Sequence, residues 1–215
     1  REVVSLAQMP DFVQKALISA EDAKFYSHRG LDYWAIARSV ITDIKMRKLA
    51  YGASTITQQL VRSVFLTTDK TAKRKIREII LTLELEKKYS KNQILEWYLN
   101  QVPFGPNIYG IQTAARSYFG KEAKDLNLAE SAVLVAMVQS PSYYYPYGQH
   151  KDELFIRKDY VLSRMAGEHY ITDQEAKTAQ IETIKFLDTP QTIKAPHFVF
   201  YAQDYLFQKY VKGAL

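Results

Sequence analysis

The stretch PDFVQKALISAEDAKFYSHRG, Pro10 to Gly30, joins a helical pattern, a carboxylate pair and a turn. Val13, Ala16, Leu17 and Ala20 stand at i, i+3, i+4 and i+7, the spacing of an amphipathic helix. Pro10 suits a first helical turn, where the missing N–H costs nothing. The apolar run stops at Glu21-Asp22, and Gly30 supplies the turn. If the helix runs on past Asp22, Glu21, Phe25 and His28 share one face. A carboxylate at the end of an apolar helix is placed to exchange a proton with a bound molecule. The same residues at a frayed helix end are also ordinary solvated charges, and both readings stand at this point.

Outward from that stretch the helical period recurs. Between Arg74 and Lys88, Ile76, Ile79, Ile80 and Leu83 repeat the apolar spacing, with Glu84, Glu86, Lys87 and Lys88 expected outside. Capping boxes at Ser90…Gln93, Asn127…Glu130 and Thr172…Glu175 each open an apolar-periodic run. The strand signals are weak, the best being Ile181–Leu187 and His197–Tyr201. Turn residues gather at Ser27–Gly30, Pro103–Gly110 and Gln139–Gly148. The expected class is therefore mainly α. One domain is expected over residues 1–190, with a boundary near Thr189-Pro190 and a linker over residues 191–215 leading toward a further module. The chain opens on Arg1 rather than Met and is expected to be a piece of a longer protein.

Composition narrows the functions. With 47% hydrophobic and 24% charged residues the chain is an ordinary globular one, which excludes disorder and collagen-like repeats. The absence of cysteine excludes disulfides, zinc ribbons and thiol catalysis. The excess of 29 Lys and Arg over 23 Asp and Glu, net +6, suits nucleic acid, a membrane surface or an anionic ligand. No segment reaches the roughly 18–20 apolar residues that span a bilayer. The Ser131–His150 stretch, which lacks Asp, Glu, Lys and Arg, reads as a buried helix running into a turn.

Two further clusters carry chemistry. Tyr51-Gly52-Ala53-Ser54-Thr55-Ile56-Thr57-Gln58-Gln59-Leu60 is a small, hydroxylated run entering a helix. It can present backbone N–H groups and hydroxyls to a phosphate, or serve as a plain N-cap. Arg62, Lys70, Lys73, Arg74, Lys75 and Arg77 follow as a basic series fit for a diphosphate. Within it, Arg74 and Lys75 lie at i−4 and i−3 from Glu78 and flank its carboxylate. Two carboxylates in unlike surroundings, Glu21 and Glu78, make an acid/base pattern. A surface ion-pair ladder worth about 0.3–0.5 kcal/mol per pair gives the same spacing. Other sites lack their markers: there is no G-x-G-x-x-G, Walker loop, H-E-x-x-H, Asp-x-Asp or Ser-x-x-Lys.

In this order the clusters resemble the peptidoglycan glycosyltransferases, glycosyltransferase family 51, the polymerase domain of class A penicillin-binding proteins and their monofunctional relatives. The first motif stands as Glu21-Asp22…Phe25…His28…Gly30, the second as Gly52–Leu60, and the third as Arg74-Lys75…Glu78. The fourth matches Ile94–Asn100, followed by Gly105, Tyr109-Gly110-Ile111 and Tyr118–Lys121. The fifth matches Leu128-Ala129-Glu130, then Pro141 and Pro146. Five ordered motifs from about Leu6 to Pro190 are specific where any one would be weak. There are two departures: Arg62-Ser63 replaces the usual Lys-Asn and keeps a cation, and Tyr145 stands where the family has an Asn before Pro146.

The resemblance implies a lysozyme-like helical head with a smaller membrane-associated lobe at residues 31–50. There Tyr33, Trp34, Ala37, Val40, Ile41 and Ile44 form an apolar stripe beside Arg38, Lys45, Arg47 and Lys48. That stripe suits the headgroup layer of a membrane or, equally, a core-packing helix. The implied reaction is polymerisation of lipid II into β-1,4 glycan chains with inversion, releasing undecaprenyl diphosphate. It is the step blocked by moenomycin. Glu21 is implied as general base and Glu78 as the second catalytic carboxylate. Asp22, Phe25, His28, Ser54, Thr55, Gln58, Gln59, Arg62, Lys70, Arg74 and Lys75 are implied in substrate binding. No cofactor is certain; a divalent cation, Mg or Mn, at Glu78 is an option. The implied partners are lipid II, the growing glycan chain, the membrane surface and a transpeptidase domain in the same parent, but not nucleic acid. The implied place is the outer, periplasmic or extracellular, face of the bacterial cytoplasmic membrane. Two rival readings are a lysozyme-like glycan-cleaving enzyme and a basic lipid- or nucleic-acid-binding module.

Overall fold

The structure, a computed structural model, describes residues 2–46, 54–66 and 71–188, residues 40–46 by their backbone alone. Among these the helices are α1 (Asp11–Glu21), α2 (Tyr33–Met46), α3 (Ile56–Phe65), α4 (Ala72–Lys88), α5 (Lys91–Gln101), α6 (Ile111–Phe119), α7 (Leu128–Val138), α8 (Lys151–Gly167) and α9 (Asp173–Ile181). The mainly α expectation holds. The Thr189-Pro190 boundary, the 191–215 linker, the His197–Tyr201 strand and Lys70 lie outside the described residues.

The core is built around α7. Every residue of α7 after Leu128 is buried, as a helix that is apolar all round requires. It packs against α1 and α8, and α9 packs on α8 and touches α7. A second unit, α3 packed on both α4 and α5, completes the frame. The three expected capping boxes form at Ser90, Asn127 and Thr172, and a further one forms at Thr55 with Gln58.

Three expectations are corrected. First, α1 stops at Glu21: Asp22 leaves the helix at φ −158°, ψ 70°, so Glu21, Phe25 and His28 do not share a helical face. Second, Ile181–Leu187 is not a strand. After α9 the chain runs on without a sheet partner, held by Leu187 N–H donating to the Tyr118 carbonyl (2.9 Å) and Phe186 stacked on Phe119. The strands instead lie in the Pro103–Gly110 turn, where β1 (Pro103–Gly105) pairs antiparallel with β2 (Ile108–Tyr109).

The third correction concerns α4. Its isoleucines do not face the core: Ile76 and Ile80 are 60% and 55% exposed, and Leu83 is exposed too. The buried positions are polar, Glu78 and Thr82. The reason is the turn before α2, where Gly30 lies against Thr82 at a φ of +90°; a Cβ there would meet Thr82 Cγ2 at 2.8 Å. The inner face of α4 is thus committed to the first motif.

The tyrosines of the last turn also find a place. Tyr145 and Tyr147 surround the ring of Tyr118 together with Phe186. The Tyr118 hydroxyl donates to the Phe104 carbonyl at 2.7 Å, and the Tyr147 hydroxyl to the Leu187 carbonyl at 2.6 Å. Buried tyrosines need such acceptors. Burial, reinforced by Tyr145 and Tyr147, pushes the Tyr118 phenol far above the ordinary tyrosine range.

Candidate active site

The end of α1 and the turn after it form one wall of a cleft of about 280 Å³. Glu21, Asp22 and Lys24 line that wall; Asp32 and Arg38 come from the start of α2, Ser54 and Thr55 from the entry to α3, and Tyr160, Arg164 and Glu168 from α8. The walls hold together through Arg164, whose Nε donates to the Ser19 carbonyl at 3.1 Å while its NH2 group pairs with Glu168 at 3.0 Å.

Glu21 is one of the carboxylates that line this cleft. Its Oε2 accepts a hydrogen bond from Gln59 Nε2 at 3.1 Å. Its Oε1 lies 3.6 Å from the Arg157 guanidinium, an ion pair but beyond hydrogen-bond length. Arg157 rests over the Tyr160 ring at 4.6 Å, a cation–π contact that spreads its plane beside the carboxylate.

Asp22 works as a latch. Its Oδ2 accepts from the Ile56 N–H at 3.0 Å, the first turn of α3, and its carboxylate meets His28 Nε2 at 2.9 Å. His28 Nδ1 accepts the Gly30 N–H at 3.1 Å, so the ring carries its proton on Nε2 and donates it to Asp22. The Thr55 hydroxyl donates to the Gly30 carbonyl at 2.7 Å. The first two motifs are thereby stitched to each other across the start of α3.

These contacts sort the sequence candidates. Glu21, Asp22, Ser54 and Thr55 reach the cleft, and Gln59 reaches Glu21. Phe25 is fully buried behind it, with Lys91 Nζ 4.5 Å above its ring, and Lys91 in turn pairs with Glu86 at 2.7 Å. His28 and Gln58 are engaged within the fold, Gln58 by accepting the Thr55 N–H at 3.0 Å. Phe25, His28 and Gln58 therefore support the wall from behind; none of the three lines the cleft.

Glu78 is apart from Glu21, on α4. It is fully buried and paired with Lys75 through Oε1. Among the described residues Glu78 Oε2, Arg74 Nε and Thr82 Oγ1 are buried without partners. The link between the two carboxylates is α3, which places Gln59 against Glu21 and packs on α4. Arg62 is exposed on α3. For a divalent cation, Glu78 offers an unpartnered buried carboxylate oxygen, and the described residues hold no cluster of three acidic or histidine side chains. A cation held here would draw its other ligands from water or from a substrate's phosphates, the usual habit of Mg²⁺.

The profile of the transglycosylase family matches residues 1–166. The chain belongs to that family. This transglycosylase chain is 46% identical to penicillin-binding protein 1F of Bacillus subtilis (strain 168) over 184 residues, 86% of this chain and 26% of that protein. Penicillin-binding protein 1A of Clostridium tetani is 44% identical over 182 residues, covering 81% of this chain and 23% of that one. The chain thus spans about a quarter of the length of these relatives. The crystal structure of penicillin-binding protein 1A from Haemophilus influenzae superposes with a TM-score of 0.53 over 98% of this chain and 21% of its own, at 21% identity, and shares the fold.

In this transglycosylase the residues that line the cleft from α8 and its C-terminal end, and Arg157 beside Glu21, escaped the sequence reading. Arg157, Tyr160, Arg164 and Glu168 recur at i, i+3, i+7 and i+11, a polar stripe beside the buried Leu154, Val161, Leu162 and Met165. That stripe was the available signal. Which cleft it faces depends on how α8 crosses α1, and no local pattern encodes that.

Proposed function

We propose that this domain is a peptidoglycan glycosyltransferase that polymerises lipid II, with Glu21 as general base. The observation that carries the reading is the Glu21 carboxylate, presented to the cleft with Oε2 tied to Gln59 and Oε1 beside Arg157. The acceptor's 4-hydroxyl oxygen forms the new bond to C1 of the donor sugar, and its proton passes to Glu21. The bond from C1 to the diphosphate oxygen breaks, and its electron pair leaves with undecaprenyl diphosphate. Attack opposite the leaving group inverts C1 and gives a β-1,4 link.

The departing diphosphate needs positive charge, for which Arg62, Lys70, Arg74 and Lys75 are the candidates. Glu78 holds Lys75 in place from its buried position on α4. A Mg or Mn ion carried by the diphosphate would find Glu78 Oε2 as its protein ligand. The membrane surface is proposed to meet α2, where Tyr33 and Trp34 are 70% and 71% exposed. Aromatic residues of that exposure beside Arg38 favour a headgroup contact over core packing at these positions. The domain is proposed to act on the outer face of the bacterial cytoplasmic membrane, in a parent that also carries a transpeptidase domain.

The test is labelled lipid II with products separated by gel, with and without moenomycin. Wild type should give long chains that moenomycin suppresses, and Glu21→Gln should give none while folding normally. Near-wild-type polymerisation by E21Q would remove the base assignment. Shortening of preformed glycan would instead favour the lysozyme-like cleaving reading.

A further inference from the structure

The fourth motif contributes nothing to the cleft surface, yet one of its side chains touches the catalytic wall from behind. Tyr98 on α5 is almost wholly buried, and its hydroxyl donates to Gln59 Oε1 at 2.8 Å. Gln59 in turn donates from Nε2 to Glu21 Oε2 at 3.1 Å. The three residues come from α5, α3 and α1, so the chain of contacts exists only in the folded molecule.

The chemistry of each group sets the direction. A phenol that keeps its proton is a donor toward a carbonyl oxygen. Burial first, and the nearby Glu21 charge second, hold the Tyr98 phenol well above the ordinary tyrosine range. Gln59 has one carbonyl oxygen and one NH2 group. With the oxygen engaged by Tyr98, the NH2 is the end that faces Glu21. Without Tyr98, the amide is oriented by the Glu21 carboxylate alone and loses the second anchor that fixes its position behind the wall. With Oε2 satisfied, Oε1 is the Glu21 oxygen that accepts no hydrogen bond among the described residues.

We propose that Tyr98 is a positioning residue: its hydroxyl orients the Gln59 amide, which holds Glu21 Oε2 and leaves Oε1 to receive the substrate proton. This rests on the Glu21 base reading above. The role is geometric, and a misplacement of the order of 1 Å at a reacting group can cost about a hundredfold in rate.

The test is a double-mutant cycle on lipid II polymerisation with Y98F, Q59L and the pair, beside E21Q. Y98F should lower kcat by about tenfold or more with KM within about twofold, because the group acts on the chemical step rather than on binding. Q59L should lose at least as much. The double variant should match Q59L alone, since Tyr98 acts only through Gln59. Side-chain amide NMR of Gln59, without substrate, should show its NH2 protons protected from exchange in wild type and exposed in Y98F. That readout is indifferent to turnover, and a core tyrosine of purely packing value would leave it unchanged. If Y98F folds poorly, the Y98F/Q59L pair removes both partners of the buried bond and remains measurable against Q59L.

Losses that add in the double variant, unchanged kcat in Y98F, or unchanged Gln59 exchange would overturn the proposal. Inactive E21Q with normal Y98F sinks Tyr98 alone. Active E21Q sinks the base reading and the Tyr98 role together.

Discussion

Replacing Asp22 by Asn tests the latch between the first turn and α3. The Asn carbonyl can still accept the Ile56 N–H, which now reaches Asp22 Oδ2 at 3.0 Å. Its NH2 must then face His28 Nε2–H, and two donors meet where the nearer of two acceptors stood at 2.9 Å. The imidazole is left to share the other oxygen, at 3.1 Å, with Ile56. The imidazole has no alternative tautomer to offer, because Nδ1 accepts the Gly30 N–H. Both side chains are nearly inaccessible, 9% for His28 and 3% for Asp22, so water does not rescue the clash. Loss of a charge-assisted hydrogen bond costs about 1.5–3 kcal/mol, and the crowding of two buried donors adds to it. An overall loss of about 2–4 kcal/mol is expected for D22N. At about 2–4 °C per kcal/mol for a chain of this size, the melting midpoint should fall by about 4–16 °C. Scanning calorimetry on the full chain reads that shift. Adding His28→Ala to D22N should cost much less than it does in wild type, since the contact is already broken. A D22N midpoint within a degree of wild type would show that the latch does not hold α3, and the argument would fail.

Gly30→Ala should destabilise by about 2–4 kcal/mol, from left-handed strain together with overpacking against α4. The added Cβ would sit 2.8 Å from Thr82 Cγ2 at a φ of +90°, and an unchanged urea midpoint would refute it. The Tyr118 phenol, raised by burial, keeps in the folded chain a proton that the unfolded chain releases near pH ~10. Its contribution is therefore intact below that pH and is lost as the pH climbs further. Y118F should show a shallower fall of unfolding free energy above pH ~10, and parallel curves would exclude this source. Changing Tyr33 and Trp34 together to Ser should weaken binding of the chain to anionic vesicles several-fold while leaving its melting midpoint in place. Unchanged vesicle binding would send the membrane contact elsewhere.

Much of the fold was legible locally. The capping boxes at Ser90, Asn127 and Thr172 start helices where their side chains say they should. A box works through hydrogen bonds three residues apart, so sequence spacing encodes it. The buried α7 was legible for the same reason, as a short uninterrupted apolar run. What misled was the assumption that apolar periodicity points inward. On α4 the isoleucines face out while Glu78 and Thr82 face in, because the close approach of Gly30 takes the inner face. Ile181–Leu187 has strand composition but no neighbouring strand, so it pairs with the end of α6 through a single backbone bond.

The cleft wall divides in the same way. Glu21 at the end of an apolar helix, the Thr55 cap and the Lys75–Glu78 pair are relations within a few residues, and the sequence by itself determined them. Arg74, also expected beside Glu78, leaves its Nε buried without a partner among the described residues. Gln59 against Glu21, Tyr98 behind Gln59, and Arg157 beside the carboxylate join residues 38, 39 and more than a hundred positions apart. Those contacts depend on how α1, α3, α5 and α8 cross. Crossing is settled by the packing of whole helix faces around α7, so only the tertiary structure decided them.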